Sequence, residues 1–372
     1  MEESLLSKTQ LRIVGLGFSK LRPAWGAKLL LILAFTLFTF ASAQKLTVLV
    51  HDSFAISDEI IADFTKQTGI ELEFLAAGDA GQILNKAILT QKSPLADVLY
   101  GIDNSLLARA QLFNIFEPYK SANLKLVPAN YIFDTTNTVT PVDVGYVNFN
   151  LDLEYFAKNN LELPQDILEL NQEKYQGLTV VEHPATSSPG LAFMLATIAR
   201  FGETGDYTWL DYWYELKNND LLVSNGWSDA YYNAFSRYGG DRAVVLSYST
   251  SPAAEVIFAE EKLDSAPTAN LYCEKCVYEQ IEAVGILKST PKLKQAQQFI
   301  DFMLSKGFQE DIPLNMFVYP VNENAAIPKE FELYSKKPTS EQIAKLDSEY
   351  IEEHLRTWLR DWTAVVEQGR KP

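Results

Sequence analysis

The stretch SNGWSDAYYNAFSRYGGDRAVVLSYSTSP, residues 224–252, combines the local signals that best define the fold of this chain. An aromatic loop around Trp227 precedes a helix and an apolar strand at 243–248. The strand ends in a hydroxyl-rich turn at 248–251, and Pro252 follows. Ser before Pro is a typical helix start, with Ser as the N-cap and Pro at the first helical position. Because ligands of open α/β sheets bind at the carboxyl ends of the strands, this stretch is predicted to form half of a binding site.

Strands and helices alternate along the rest of the chain. Apolar runs predict strands at 46–50, 70–75, 97–102, 142–149, 178–182 and 277–287. Apolar residues at helical spacing predict helices at 57–67, 191–201, 209–217, 255–262, 292–305 and 340–368. This alternation favours a parallel sheet with helices on both faces. With 372 residues and no flexible linker, the chain is predicted to form two α/β lobes joined by strands that cross near 142–148, 279–285 and 318–322.

Composition excludes several classes of protein. Hydrophobic residues make up 47% of the chain, which is incompatible with wholesale disorder. The formal net charge of −16 makes nucleic acid an unfavourable partner and a cation a favourable one. The three His residues are widely spaced, and the motifs HExxH, EF-hand and P-loop are absent from the sequence. The sequence therefore implies no metal site, nucleotide site or cofactor.

The N-terminal segment has the pattern of a secretory signal. Basic residues up to Lys28 precede a mostly apolar run at 29–40, and Ala41-Ser42-Ala43 matches an A-x-A cleavage site. The apolar run is shorter than the roughly 20 residues that a membrane span needs, although a retained membrane anchor stays open as an alternative. Residues 1–43 are predicted to be a signal peptide, and the mature chain is predicted to be periplasmic or otherwise extracytoplasmic.

Export determines the interpretation of the Cys273-Glu274-Lys275-Cys276 motif. In a cytosolic chain a CxxC pair suggests redox or zinc chemistry. A zinc site needs further ligands, and no His or Cys is near in the sequence. In an exported chain a small local disulfide is favoured, with a redox-active thiol pair as the alternative.

A second Ser-Pro pair repeats the pattern of residues 251–252. The strand at 178–182 leads to Ser187, Ser188 and Pro189, and an apolar helix follows. Helix N-termini offer unpaired backbone N–H groups. Two such hydroxyl-rich helix starts, together with the aromatic loop at Trp227, predict a polar pocket rather than two ordinary helix caps.

Six motifs in the same order along the mature chain resemble the periplasmic thiamine-binding proteins of ABC importers. They are TVLVHDSF (47–54), ADVLYGIDNSLL (96–107), TSSPGLAF (186–193), SNGWSDAY (224–231), VVLSYSTSP (244–252) and the aromatic turn before Tyr319-Pro320. The resemblance implies a type II periplasmic-binding-protein fold, in which two α/β lobes joined by crossing hinge strands close on thiamine or its phosphates. It also implies a monomer that docks onto the ABC transporter permease. The expected lobes are 44–143 with 284–318, and 144–283 with 319–372.

The resemblance also implies the ligand-binding residues. They are Asp79 and Ala80 in the loop before a helix, the hydroxyl pair Ser187 and Ser188, Trp227 as an aromatic wall, the turn Tyr248, Ser249, Thr250 and Ser251, and His51 and Phe317 where the family has larger aromatic residues. The residue types suit thiamine, whose thiazolium cation lacks an N–H and can be held by carboxylates and aromatic faces. The hydroxyls and helix starts at 187–188 and 249–251 suit the hydroxyethyl group of thiamine or the phosphate of a thiamine ester.

Three other functions compete with thiamine binding. Ferric-ion-binding proteins of the same fold use an adjacent Tyr pair, which Tyr231-Tyr232 matches in type. We expect instead that one of these side chains is packed and the other exposed. A polyamine-binding protein would also use acids and aromatic residues. A thiaminase-like enzyme would need a nucleophilic Cys in the cleft, whereas Cys273 and Cys276 precede a predicted crossing strand, so no enzymatic activity is expected.

Overall fold

A computed structural model describes residues 44–372 of the chain. The predicted signal peptide, residues 1–43, lies outside the described residues. Among the described helices, none combines the length and the apolar character needed to cross a membrane. Residues 44–372 lie within one compact unit.

A single mixed sheet runs through the unit. Its strands are β1 (Gln44–Val50), β2 (Ile70–Ala76), β3 (Val98–Asp103), β4 (Phe116–Glu117), β5 (Thr140–Asp152), β6 (Thr179–Glu182), β7 (Leu222–Ser224), β8 (Val244–Tyr248), β9 (Thr268–Leu271), β10 (Val277–Leu287), β11 (Tyr319–Pro320) and β12 (Ile343–Ala344). The main path has the order β2-β1-β3-β10-β5-β8-β6-β7. β2, β1 and β3 are parallel to one another, as are β8, β6 and β7.

Helices alternate with the strands, as the sequence predicts. They are α1 (Asp58–Thr68), α2 (Ala80–Leu89), α3 (Leu107–Leu112), α4 (Leu153–Lys158), α5 (Ser188–Phe201), α6 (Trp209–Asn218), the single turn α7 (Trp227–Asp229), α8 (Ser251–Ile257), α9 (Leu293–Met303), α10 (Lys306–Asn315), α11 (Lys329–Tyr334) and α12 (Ser348–Val366). A π-helical turn, Ala230–Ala234, follows α7 directly. The predicted α/β class is confirmed.

The long strands β5 and β10 join the two parallel halves of the sheet. They pair with each other antiparallel; β10 also pairs with β3, and β5 with β8. These strands and β11 coincide with the predicted crossings. The alternation of residue types at 142–149 predicts a strand that is only partly buried, but every residue of β5 is buried. A central strand is covered on both faces, which explains why its pattern is misleading. The lobe boundaries at residues 143, 283 and 318 stay a prediction.

Three local predictions are wrong in their bounds. The helix predicted at 255–262 ends at Ile257, and the tail helix predicted at 340–368 begins only at Ser348. At both Ser-Pro pairs the N-cap is one residue earlier than predicted, at Ser187 and Thr250, and neither side chain makes a capping hydrogen bond. Ser188 and Ser251 instead occupy the first helical position.

The Cys pair forms a local disulfide between Cys273 and Cys276, as the exported chain predicts. Both residues are buried. The loop that they close leads into β10, and Arg200 Nη1 donates to Cys273 Sγ at 3.0 Å. The bond lies immediately before the central strand β10.

The tail helix α12 is anchored by aromatic packing. Trp362 is fully buried, with its ring centroid 5.4 Å from that of Trp213 and 4.8 Å from that of His183. Trp358 is buried as well, so both Trp residues of α12 belong to the core.

Replacing Trp362 by Ala is expected to lower the free energy of unfolding by about 3–5 kcal/mol, because it empties a large buried site. Urea denaturation followed by circular dichroism measures the change. Leu333→Ala is the control, since Leu333 is 62% exposed and its truncation should cost little. Equal stability of the Trp362→Ala variant and the wild-type protein would contradict the assignment of α12 to the core.

Candidate functional site

A cavity of about 620 Å³ lies where strand ends and helix starts converge. The carboxyl ends of β1, β6 and β8 lead into His51, Ser188 and Ser251, respectively. The predicted site residues that line the cavity are His51, Asp79, Ala80, Ser188, Trp227, Tyr248, Ser251 and Phe317. Residues distant in the sequence are therefore brought to one place.

The remaining predicted site residues do not line the cavity. Ser187 is buried as the N-cap residue of α5. Thr250 Oγ1 donates to the carbonyl of Phe317, so this hydroxyl fixes the aromatic turn. Ser249 is also buried, and its carbonyl accepts from Asn270 Nδ2 at 2.9 Å and from Ser335 Oγ at 2.8 Å. These residues shape the backbone around the cavity.

Asp79 links the two halves of the sheet across the cavity. Its Oδ1 accepts from the Ala80 N–H at 2.7 Å, which caps α2, and its Oδ2 accepts from the Trp227 N–H at 3.0 Å. Nearby, the Gly81 N–H donates to the Thr186 carbonyl at 3.0 Å. A Cβ at position 226 would lie 2.9 Å from Asp79 Oδ2, so Gly226 permits this close approach. The carboxylate thus positions the aromatic wall as well as lining the cavity.

The Trp227 side chain is held in place by a hydrogen bond and by stacking on a neighbouring ring. Its Nε1 donates to Ser247 Oγ at 2.8 Å, and its ring stacks on that of Tyr231 at 4.9 Å between centroids and 18° between planes. The Tyr231 hydroxyl donates to Glu255 Oε1 at 2.5 Å. Tyr231 is 3% exposed and Tyr232 is 44% exposed, so the expectation of one packed and one exposed Tyr is met.

A cluster of buried acids also lines the cavity. The Tyr100 hydroxyl lies 2.5 Å from Asp143 Oδ2 and 2.7 Å from Glu282 Oε2. One hydroxyl has a single proton to donate and can satisfy only one carboxylate. Burial first, and then the charge of Glu282, raises the pKa of Asp143 well above its usual range.

His51 adjoins the same acids. Its Nε2 lies 3.5 Å from Glu282 Oε1, and its Nδ1 lies 2.8 Å from Ser53 Oγ. Burial lowers the pKa of His51, but the neighbouring Glu282, with Asp79 and Asp143, outweighs this effect, so the pKa is raised overall. His51 therefore lines the cavity and partly compensates the negative charge of these acids, and its expected contact with a ligand stays a prediction.

Strand register explains how the acids come together. Glu282 on β10 lies directly opposite Asp143 on β5 and opposite Asp103 on β3. Like charges directly opposite are destabilising in a sheet. Sequence reasoning missed Asp143 and Glu282 because it looked for ligands at strand ends. The signal that it could have used is an acidic residue inside an otherwise apolar buried run.

The wall formed by Trp227 and Tyr231 continues in two further Tyr residues that were not predicted to belong to the thiamine site. Tyr232 and Tyr238 line the cavity and are half exposed, with ring centroids 5.3 Å apart. Arg237 Nε lies 3.5 Å from Glu255 Oε2, and both side chains also line the cavity.

Negative charge dominates the cavity lining. Its carboxylates are Asp52, Asp79, Asp143, Glu255 and Glu282, and its basic side chains are His51 and Arg237. A buried carboxylate that lacks a counter-charge is costly. Acids beside aromatic faces can instead bind a cation that brings the missing charge, and cation–π contacts add to this attraction. Within residues 44–372, no group of three His, Cys, Asp or Glu side chains is arranged to hold a metal ion.

Comparison with known proteins identifies the family. Residues 93–353 match the family model described as bacterial extracellular solute-binding protein. The chain belongs to this family. A similar curated relative of this solute-binding chain is the thiamine-binding periplasmic protein of Escherichia coli, 30% identical over 86% of this chain and 93% of the relative. The protein of the same name in Brucella abortus is 28% identical over 91% of this chain and 99% of the relative.

Solved structures of other binding proteins share the fold of this solute-binding protein. A periplasmic thiamin binding protein superposes with a TM-score of 0.74 and 28% identity, covering 87% of this chain and 96% of the other. The apo ferric ion-binding protein A of Pasteurella haemolytica superposes with a TM-score of 0.69 at 17% identity, covering 87% and 98%, and this match shows the fold alone. The two-lobe, type II periplasmic-binding-protein fold expected from the resemblance is confirmed. By their names, these relatives are binding proteins.

Proposed function

We propose that this protein binds thiamine in the cavity described above and delivers it to the permease of an ABC importer. The single observation that carries the proposal is the composition of the cavity, which is lined by both buried acids and an ordered set of aromatic rings. A permanent organic cation satisfies both features at once. The thiamine-binding names of relatives that match most of the chain support the same ligand.

The residues divide into three roles toward the ligand. The faces of Trp227 and Tyr248 suit the thiazolium ring, since cation–π contacts contribute about 0.5–2 kcal/mol each. Asp143 and Glu282 supply the negative charge that an N–H-free cation requires. Ser188 Oγ is buried, lines the cavity and has no hydrogen-bond partner, so it suits the hydroxyethyl group.

Asp79 is proposed to couple ligand binding to lobe closure. Its carboxylate joins the N-terminus of α2 to the backbone of Trp227, and these elements belong to opposite halves of the sheet. With lobes at 44–143 plus 284–318 and 144–283 plus 319–372, this contact would form only when the cleft shuts. The exported, periplasmic location, the monomeric state and the permease partner belong to the same proposal.

Polyamine binding remains the main competing function, because an acidic aromatic cavity also suits a linear polycation. The ferric-ion alternative has less support, since the Tyr231 hydroxyl already donates to Glu255. Isothermal titration calorimetry of the mature chain with thiamine, spermidine and ferric citrate distinguishes the three. We expect one-site binding of thiamine that is at least about a hundredfold tighter than binding of spermidine. Heat from spermidine or ferric ion but not from thiamine would contradict the proposal.

A further inference from the structure

We propose that Tyr100 is a positioning residue for the buried acids of the cavity. Tyr100 does not line the cavity itself, but its hydroxyl holds the Asp143 and Glu282 carboxylates together and favours their ionised forms. The inference rests on the proposed function where it concerns thiamine affinity. Where it concerns the titration of Asp143, it depends on the ligand-free protein alone.

The Tyr100 hydroxyl bridges the two carboxylates. Tyr100 lies on β3 and is 1% exposed, and its hydroxyl oxygen lies 2.5 Å from Asp143 Oδ2 and 2.7 Å from Glu282 Oε2. Among the hydrogen bonds within residues 44–372, this hydroxyl is the one donor to the Asp143 carboxylate. Two carboxylate oxygens that contact one hydroxyl lie close to each other, and like charges directly opposite in a sheet repel. The bridge therefore offsets a repulsion that the strand register imposes.

Irregularities in two central strands aim these side chains at one another. Gly101 follows Tyr100 with a φ of +107°, which glycine adopts readily, and a Cβ at this position would lie 2.8 Å from His51 Cδ2. The register of β10 shifts directly after Glu282 against β5 and one residue later against β3. β-bulges beside functional sites re-aim side chains in this way. The backbone thus brings the phenol and the acids to one point.

The Tyr100 ring is held by packing that does not depend on its hydroxyl. Its centroid lies 5.0 Å from that of Phe54 and 5.6 Å from that of the His51 imidazole. The side chain also belongs to the apolar cluster that contains Val142 and Val284. Tyr100→Phe therefore keeps the ring in place and removes only the hydroxyl.

The hydroxyl acts on the ionisation of Asp143. A hydrogen bond that is donated to a carboxylate favours the ionised form. Burial, and then the charge of Glu282, raise the pKa of Asp143, and the hydrogen bond from Tyr100 lowers it against these larger effects. Burial, together with the charges of both acids, raises the pKa of Tyr100 well above its usual range, so the phenol keeps its proton and stays a donor.

The other titratable groups around the two acids do not replace this donor. They are Asp103 on β3, His51 after β1, Asp79 before α2 and Tyr248 at the end of β8. His51 Nε2 lies 3.5 Å from Glu282 Oε1, the oxygen that Tyr100 does not contact. The Tyr248 hydroxyl donates to Gln280 Oε1 at 3.2 Å. Asp79 and Asp103 add negative charge when they are ionised.

Tyr100→Phe is expected to raise the pH at which Asp143 gains a proton by at least about one unit, because a hydrogen bond to a charged group is lost. At pH 6.5 the variant should bind thiamine about three- to tenfold more weakly than the wild-type protein. The loss should shrink toward pH 9, where the carboxyl is ionised with or without the hydroxyl. A purely structural defect would weaken binding equally at every pH.

Two measurements on the mature protein test the inference. Carboxyl 13C NMR follows the titration of Asp143 in the ligand-free protein, with its signal assigned by its absence from Asp143→Asn. Calorimetry with thiamine between pH 5.5 and 9 gives the pH profile of the affinity. Tyr119→Phe is the matched control, because it removes a hydroxyl that donates to Asp301 Oδ2 at 2.8 Å outside the cavity. The control should match the wild-type protein in both measurements, and a thermal unfolding scan verifies that each variant is folded.

The outcomes separate the two proposals. An Asp143 midpoint that is the same in the wild-type protein and in Tyr100→Phe would overturn the role of Tyr100 and leave thiamine binding intact. A shift of equal size in Tyr119→Phe, or an affinity loss that is the same at every pH, would also overturn this role. Absence of thiamine binding by the wild-type protein would overturn the proposed function alone, since the titration of the ligand-free protein still supports or overturns the role of Tyr100.

Discussion

Trp227→Ala is expected to weaken thiamine binding by at least about thirtyfold. The substitution removes the aromatic face that can contact the cation, worth about 0.5–2 kcal/mol, together with the apolar area that the ring buries against the ligand. A combined loss of about 2 kcal/mol corresponds to roughly a thirtyfold change in Kd. Calorimetry on the purified variant measures this change.

Two further variants sharpen the interpretation of Trp227. Trp227→Phe keeps an aromatic face but loses the hydrogen bond from Nε1 to Ser247, so an intermediate loss is expected. Tyr350→Ala removes a partly exposed aromatic side chain of α12 outside the cavity and should leave the affinity unchanged. If Trp227→Ala bound thiamine as tightly as the wild-type protein, the aromatic wall would not contact the cation.

Thiamine affinity is expected to fall as the pH is lowered from 7.5 to 5. The Asp143 carboxyl has a raised pKa in the ligand-free protein because it is buried, with Glu282 adding to the effect. A cation in the cavity favours the ionised carboxylate and lowers this pKa, so binding releases a proton. Each proton released changes the affinity by at most about tenfold per pH unit, in the direction of tighter binding at higher pH.

The other charged groups around Asp143 also predict that thiamine affinity falls as the pH is lowered. It is faced by Glu282 on β10, by Tyr100 and Asp103 on β3, and by His51 after β1. Burial raises the pKa of Asp103 to about 6, so this carboxyl also gains a proton within the range tested. His51 has a raised pKa and gains positive charge at lower pH, which also opposes binding of a cation.

Asp143→Asn isolates the contribution of one carboxyl to the pH dependence. The variant should bind thiamine more weakly at pH 7.5 and should show a shallower pH dependence than the wild-type protein. Asp241→Asn is the matched control, because the Asp241 side chain is 83% exposed and lies outside the cavity. An affinity of the wild-type protein that stays constant or rises toward pH 5 would contradict a cation held by these acids.

Much of the fold follows from the sequence, because local patterns identify each element. The strand predicted at 277–287 is observed at those residues, and α1 begins one residue after the predicted start, since Ser57 acts as its N-cap. The tail shows where the pattern fails. Residues 340–347 continue a polar, helix-compatible sequence, but Ile343–Ala344 pairs with β10, and Asp347 caps α12 instead. A tertiary pairing there overrides local propensity.

The site was predictable where its residues follow strand ends and less so elsewhere. Trp227 and Ser188 lie in an aromatic loop and at a helix start that the sequence pattern indicates, Asp79 was expected from the family resemblance, and the structure brings all three to one cavity. Asp143 and Glu282 lie inside strands that the sequence presents as lobe crossings. Their convergence depends on the register between β5 and β10, which no local pattern encodes.

The structure of the complex with thiamine tests the central claim most directly. The account predicts thiamine in the cavity at the ends of β1, β6 and β8, with the thiazolium ring within about 6 Å of the Trp227 ring centroid. It also predicts the thiazolium nitrogen on the side of the cavity formed by Asp143 and Glu282. Thiamine bound outside this cavity, or bound within it with the thiazolium ring away from both Trp227 and the paired acids, would contradict the account.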